Sequence, residues 1–202
     1  MIGFGTGGQI FHAPILTSVD GLILNKIRAT KPGDVAIAKT RYPGAEIVSD
    51  TEDIINDPTI DLIVITTPNL THLPIARKAL EAGKHVIVDK PFTIRSSEAD
   101  DLIALASENK SILSVFHSRR FDSDFKTVQK IMTSSLLGEI SELESRYDRF
   151  RNYLKPDAWR EENIPGSGIL YDIGSHLIDQ ALTLFGLPDA IAADTVRAAW
   201  VS

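Results

Sequence analysis

Several segments of this chain have residue types and spacings that could do chemistry. Gly3-Phe4-Gly5-Thr6-Gly7-Gly8 satisfies the pattern G-x-G-x-x-G. Glycines at its first two positions let a chain turn and approach a pyrophosphate, and the third lets a helix pack on its strand. The anion then sits on free N–H groups where the helix starts. Downstream come Arg28, Thr30 and Lys31, with no acid until Asp34. Two cations and a hydroxyl suit a 2′-phosphate there, whereas a carboxylate would repel it and hold a ribose diol instead. NADP is therefore expected over NAD, with NAD possible. Thr66-Thr67-Pro68-Asn69, with His72, and Asp89-Lys90-Pro91 each close an apolar run. Asp172 and His176 are four apart, so on a helix they share one face, which Asp179 continues. A lysine just after a strand and an Asp/His pair on a helix are parts for moving a proton while a hydride moves.

Each feature also has an ordinary reading. Glycine triplets occur in plain turns, and Arg28 and Lys31 could be solvated surface charges. A half-buried histidine is more often structural than catalytic. Asp179 reads as a structural helix-face carboxylate. His12 and His85 receive no role, and His117 at most lines a substrate pocket.

These residues need elements to position them. Leu22 to Ile27, Asp61 to Thr67, His85 to Val88 and Ser111 to Phe116 read as strands, and the continuous apolar runs among them suit a parallel sheet buried on both faces. Helical patterns lie between: Gln9 to Leu16, a short one from Thr51, Asn69 to Ala82, and one capped by Ser96 or Ser97. Alternation with short links predicts an α/β doubly wound, Rossmann-type domain over residues 1–119. Only Met1 and Ile2 precede the glycine loop, so either its start is truncated or its leading strand is read as missing. Beyond residue 120 the pattern changes. Phe125 to Leu137 reads as a helix, Glu139 to Asp148 as a half-exposed strand of a second sheet, and Ile169 to Phe185 as a helix. Ala190 to Val201 reads as a further strand.

Composition bounds the partners. The chain has 202 residues, 43% hydrophobic and 24% charged, which is ordinary globular usage. It has no cysteine, which excludes disulfides, thiolate metal sites and a cysteine nucleophile. A net charge of -6 argues against nucleic acid as a partner. No apolar run reaches the roughly 18 residues that span a bilayer, and no secretory signal is read at the start, so a cytoplasmic protein is expected. No motif supports a metal site or a P-loop.

Together the glycine loop, the TPN-x-x-H turn, AGKHVIVDKP and GSGILYDIGSHLID resemble the Gfo/Idh/MocA oxidoreductases, over Gly3 to Asp179. Asp89-Lys90-Pro91 stands where Glu-Lys-Pro is commoner and keeps the carboxylate. Arg119-Arg120-Phe121-Asp122, and Tyr147-Asp148-Arg149-Phe150-Arg151 with Trp159-Arg160, are similar to the NADP-linked scyllo-inositol dehydrogenase-type branch; His117-Ser118 departs from its more usual Gln-Asn.

The resemblance implies roles. Lys90 would hydrogen-bond the reacting hydroxyl and stabilise an alkoxide as hydride leaves. His176 would be the general acid/base, and Asp172 its acidic partner. Thr66, Thr67, Pro68 and Asn69 would cover the cofactor's ribose and phosphates, with His72 and Asp89 beside them, and Trp159 and Arg160 would reach the nicotinamide side. Arg119 and Arg149 are further candidates for binding substrate hydroxyls. The implied activity is oxidation of a secondary alcohol on a sugar or cyclitol; the alternative is a non-catalytic dinucleotide-binding sensor. The implied second domain, from residue 120, is an α/β substrate domain with a large, mostly antiparallel sheet. The chain is therefore expected to be truncated at both ends, and the complete protein to be a homo-oligomer.

Overall fold

The computed structural model describes residues 1–148, 150, 153 and 159–194. The chain divides into two compact units, Met1–Phe116 and His117–Ser202.

In the first unit five strands, β1 Lys26–Arg28, β2 Glu46–Val48, β3 Leu62–Ile65, β4 His85–Asp89 and β5 Leu113–Phe116, pair in parallel as β1 with β2 and as β3-β4-β5. The residues before the glycine loop join the two sets. Ile2 bridges Arg28 on one side and Ile65 on the other. Its N–H donates to Val64 O at 2.8 Å, and its carbonyl accepts from Thr66 N at 2.9 Å. The strand read as missing is thus supplied by Met1 to Gly3. The resulting order, β2-β1-(Met1 to Gly3)-β3-β4-β5, reverses between Ile2 and β3.

Helices cover both faces because β3 is apolar on both. Ile63 and Ile65 are buried with Ile2, Val86, Val88, Leu80 and Leu102, against helices α4 His72–Glu81 and α5 Ser96–Glu108. Val64 joins Met1, Phe4, Ala13, Ile27 and Ala38 on the other face, under α1 Ala13–Leu16 and α2 Pro32–Arg41. Each fully buried isoleucine contributes about 1.5–3 kcal/mol.

Some boundaries differ from the sequence reading. β1 begins only at Lys26, because Leu22 and Ile23 are exposed. The cap of α5 is Arg95, not Ser96, and the Glu98 carboxylate accepts from Arg95 N and Ile94 N, each at 3.1 Å. The short helix after Thr51 is α3 Glu52–Ile55.

Between α3 and β3, Asp57 ties this edge together. Lys26 Nζ lies 2.9 Å from its Oδ2, while Thr59 N and Oγ1 donate to its Oδ1 at 2.8 and 2.7 Å. These contacts, the Lys26 ammonium first, hold its carboxyl well below the usual carboxylate range. That stabilisation is complete above the ordinary carboxylate pKa and is lost as pH falls through the folded-state value. Asp57→Asn should therefore flatten the fall of thermal midpoint below about pH 4; an unchanged acid limb in a pH series would contradict this.

In the second unit the elements are a 3-10 turn Ser118–Phe121, α6 Ser123–Thr133, a 3-10 turn Trp159–Glu161, a π turn Leu170–Gly174 and α7 Ser175–Phe185. α6 ends earlier than the expected Leu137. The expected strand over Glu139 to Asp148 is absent, since these residues have no ladder partner among the described residues, and alternation without a partner makes no strand. Every strand pair among the described residues is parallel, so the expected antiparallel sheet is not seen. Residues 190–194 are not a strand, and the rest of the expected final strand lies outside the described residues. Among the described residues no helix is long and apolar enough to cross a membrane.

Candidate active site

In an open parallel sheet ligands bind beyond the C-terminal strand ends, where strand order reverses. In the first unit that reversal places the glycine loop between the ends of β1 and β3. Gly3 has φ +95°, and a Cβ there would stand 3.0 Å from Thr66 backbone atoms. Thr66 Oγ1 donates to Gly3 O at 2.8 Å, locking the loop to the end of β3. A Cβ on Gly8 would meet Gly3 O at 2.9 Å and Thr66 Oγ1 at 3.1 Å. Around Gly5 nothing lies within 4 Å of a Cβ position. Gly3 and Gly8 thus pack against protein, whereas Gly5 borders open space of the kind a pyrophosphate would take.

The helix after the loop starts with a π turn, Gly8–His12, in which Ala13 N–H donates to Gly8 O. Pro14 follows and has no N–H to close an α turn on Ile10. Gln9 Nε2 donates to Phe4 O at 2.7 Å and Asp34 Oδ1 at 2.8 Å, binding the loop to α2.

Arg28 ends β1 half-buried, and its Nε donates to Ser49 O at 3.1 Å. Thr30 and Lys31 are exposed beyond it. No carboxylate stands between Arg28 and Asp34.

Two further turns complete this rim. In the first, Thr67 is half-buried, Pro68 exposed and Asn69 buried. In the second, Asp89 ends β4 with Oδ1 accepting from Lys90 N at 2.9 Å, and its Oδ2 lies 3.2 Å from a Cβ position on Gly7. Lys90 is half-buried there. His72 joins the turns, with Nε2 2.8 Å from Thr67 O and Nδ1 2.9 Å from Pro91 O. It is only 1% exposed, so any contribution to a cofactor site runs through the two turns it holds.

The second unit carries the Asp/His pair. Asp172 lies in the π turn Leu170–Gly174, half-buried, and His176 is buried in the first turn of α7. The π turn is closed by Ser175 N–H on Leu170 O. The His176 and His117 rings meet edge to face, with centroids 6.2 Å apart. Arg120 Nε and Nη2 donate to the two Asp179 oxygens at 2.7 and 2.5 Å, and His117 Nδ1 lies 3.6 Å from Oδ2. Burial works to raise the Asp179 carboxyl, but the Arg120 guanidinium, with charge from His117, outweighs it and lowers it. Asp179 thus pins the Ser118–Phe121 turn to α7, which is a structural use.

Arg119, expected to reach substrate, bonds Asp122 at 2.9 Å and the Tyr147 hydroxyl at 3.3 Å, with its guanidinium 5.4 Å over the Tyr147 ring. Trp159 is half-buried in its 3-10 turn, in which Arg160 also lies. Arg149 lies outside the described residues. Among the described residues no group of three or more His, Asp or Glu side chains could hold a metal.

What the sequence did not reveal is the surroundings of His12. Its ring is buried against Phe116, with centroids 4.1 Å apart, and Nε2 faces Asp89 Oδ1 at 3.6 Å. The register of β4 and β5 sets Asp89 beside Phe116 where the loop helix starts, and spacing along the chain carries no sign of it.

A parallel sheet of this order, with a glycine loop at its reversal, defines a dinucleotide-binding α/β domain. Comparison makes the class specific. Residues 1–117 match the oxidoreductase family described as having an NAD-binding Rossmann fold, and residues 125–201 match the GFO/IDH/MocA C-terminal domain. The chain belongs to the Gfo/Idh/MocA oxidoreductase family. It is 49% identical over 197 residues to the uncharacterized oxidoreductase YdgJ of Escherichia coli, covering 98% of this chain and 56% of that protein. It is 38% identical to the scyllo-inositol 2-dehydrogenase (NADP(+)) IolW of Bacillus subtilis, covering 97% of this chain and 54% of that protein. An NAD-binding protein from Listeria innocua has a solved structure that superposes with a TM-score of 0.83 at 30% identity, covering 91% of this chain and 53% of that one. The chain thus spans about half the length of the relatives it matches.

Proposed function

We propose that the full-length protein is a dehydrogenase that oxidises a secondary alcohol of a sugar or cyclitol with NADP, or reduces the ketone in reverse. The observation that carries this reading is the rim of the first unit. A glycine loop with open space at Gly5, a cation-bearing β1 end without a carboxylate, and Lys90 beyond β4 lie at the C-terminal ends of one sheet. The name of IolW, an NADP-linked inositol dehydrogenase, points the same way for cofactor and substrate class.

The glycine-loop cradle fits a dinucleotide. Gly5, Thr6, Gly7 and the helix start at Gly8 would hold its pyrophosphate, and Arg28, Thr30 and Lys31 its 2′-phosphate. Thr66 to Asn69 and Asp89 would line its ribose side. When bound, the nicotinamide supplies the hydride acceptor. In this reading the chain's own groups do the rest. Lys90 carries a positive charge to the reacting oxygen and stabilises it as an alkoxide forms. His176 takes up and returns the hydroxyl proton, and Asp172 orients substrate beside it. The family resemblance gives Trp159 and Arg160 a role on the nicotinamide side and Arg149 one in substrate binding.

Initial rates of the full-length protein, followed at the nicotinamide absorbance band with a panel of inositols and sugars, test this. We expect turnover with NADP at least about tenfold better in kcat/KM than with NAD, since loss of a good phosphate contact costs about 1.4 kcal/mol or more. A tenfold preference for NAD would end the NADP assignment. Binding without turnover on every member would favour a sensor.

A further inference from the structure

His12 lies in no motif and is used by no step above, yet it is among the most enclosed polar side chains of the first unit, 3% exposed. It ends the π turn that begins at Gly8, the last glycine of the loop. Its ring packs on Phe116 at the end of β5, tilted by 47° with centroids 4.1 Å apart. The Nε2 atom has no hydrogen-bond partner within the usual distance and faces Asp89 Oδ1 at 3.6 Å. A buried ring nitrogen left unbonded is costly, so a donor aimed at a carboxylate calls for an explanation.

Asp89 has a task that needs restraint. Its Oδ1 accepts the Lys90 N–H at 2.9 Å, and its Oδ2 lies beside Gly7 of the loop. A carboxylate next to a site for phosphates is repelled by them unless a donor fixes it where it accepts a hydroxyl instead. Rotated away, it would also release the Lys90 backbone. The surroundings of His12 offer that donor: Phe116 fixes the ring plane, and a small rotation closes Nε2–H onto Oδ1.

We propose that His12 is a positioning residue, whose imidazole holds the Asp89 carboxylate in the orientation that presents Oδ2 to the glycine loop and keeps Lys90 in place. This rests on the reading of the loop as a dinucleotide site. His12 touches neither cofactor nor substrate and acts through Asp89.

A double-mutant cycle tests it, with NADPH and NADH binding to the full-length protein measured by calorimetry. His12→Phe keeps the ring packing and removes the donor; Asp89→Asn removes the charge. Each should weaken binding about tenfold, the size of a lost hydrogen bond to a charged group. The double variant should be no weaker than Asp89→Asn alone. His12→Gln, which restores an N–H at similar reach, should stay within about threefold of wild type. Should His12→Phe fail to fold, His12→Leu takes its place in the cycle. Binding by His12→Phe within twofold of wild type, independent losses that multiply in the double variant, or a His12→Gln as weak as His12→Phe each overturn the proposal. A wild type that binds neither dinucleotide overturns instead the reading of the loop.

Discussion

Replacing Lys90 by alanine in the full-length protein should lower kcat by roughly 10² or more while the dissociation constant for the dinucleotide changes little. The expectation comes from where Lys90 stands. It is half-buried at the end of β4, beyond the sheet, with its backbone fixed by Asp89. In the proposed reading an ammonium so placed, near the rim of the sheet yet outside the glycine loop, would act on charge that develops at a reacting oxygen. Its loss is felt in the chemical step more than in binding. If His176 is the general base proposed, His176→Ala should fall by a similar factor, since such a base contributes typically 10²–10⁴-fold. For His176 a pH profile adds a check: the limb that reports a base in the histidine range should vanish in the variant. Near-wild-type kcat in either variant removes that residue from the mechanism.

Adding one methyl group at Gly5 or at Gly8 should give two different kinds of failure. At Gly8 a Cβ would stand 2.9 Å from Gly3 O, and Gly3 O is itself held by Thr66 Oγ1 at 2.8 Å. The clash is with backbone, so the helix start must move away from β3. Gly8→Ala should therefore lower thermal stability by about 1–3 kcal/mol and weaken dinucleotide binding as well. At Gly5 the protein leaves the Cβ position open. Gly5→Ala should keep the wild-type thermal midpoint without ligand and still weaken NADPH binding about tenfold or more, because the methyl occupies the space assigned to the pyrophosphate. Undiminished binding by Gly5→Ala would show that no phosphate approaches there.

Much of the first unit was legible, for a physical reason. A strand buried on both faces must be apolar at every position, and Ile63, Val64 and Ile65 show this without interruption. The rim residues followed, because Thr66 and Lys90 come directly after such runs. Where the runs are short, the signal failed. β2 Glu46–Val48 has three residues and was not read, and helix Pro32–Arg41 went unread beside it. Leu22 and Ile23 looked like the start of β1, yet Ile23 is 89% exposed, since apolar content alone does not supply a pairing partner.

Contacts between distant segments were also beyond reach. Arg120 and Asp179 are 59 residues apart, and nothing in either neighbourhood names the other. His12 meets Asp89 because the loop helix starts at the edge of the sheet where β4 ends. The π turns at Gly8–His12 and Leu170–Gly174 gave no periodicity signal, because each is a single turn. Each nonetheless carries a candidate site residue of its own unit, Gly8 in the first and Asp172 in the second, and such turns are often found at functional positions.

The most direct measurement follows the hydrogen itself. A cyclitol or sugar carrying deuterium on the reacting carbinol carbon is incubated with the full-length protein and NADP, and the reduced dinucleotide is analysed by mass and proton spectra. Deuterium on C4 of the nicotinamide ring, formed by wild type and roughly 10² or more times slower by Lys90→Ala, is the predicted result. Tight binding of NADP with no label on that carbon for any alcohol offered would contradict the account.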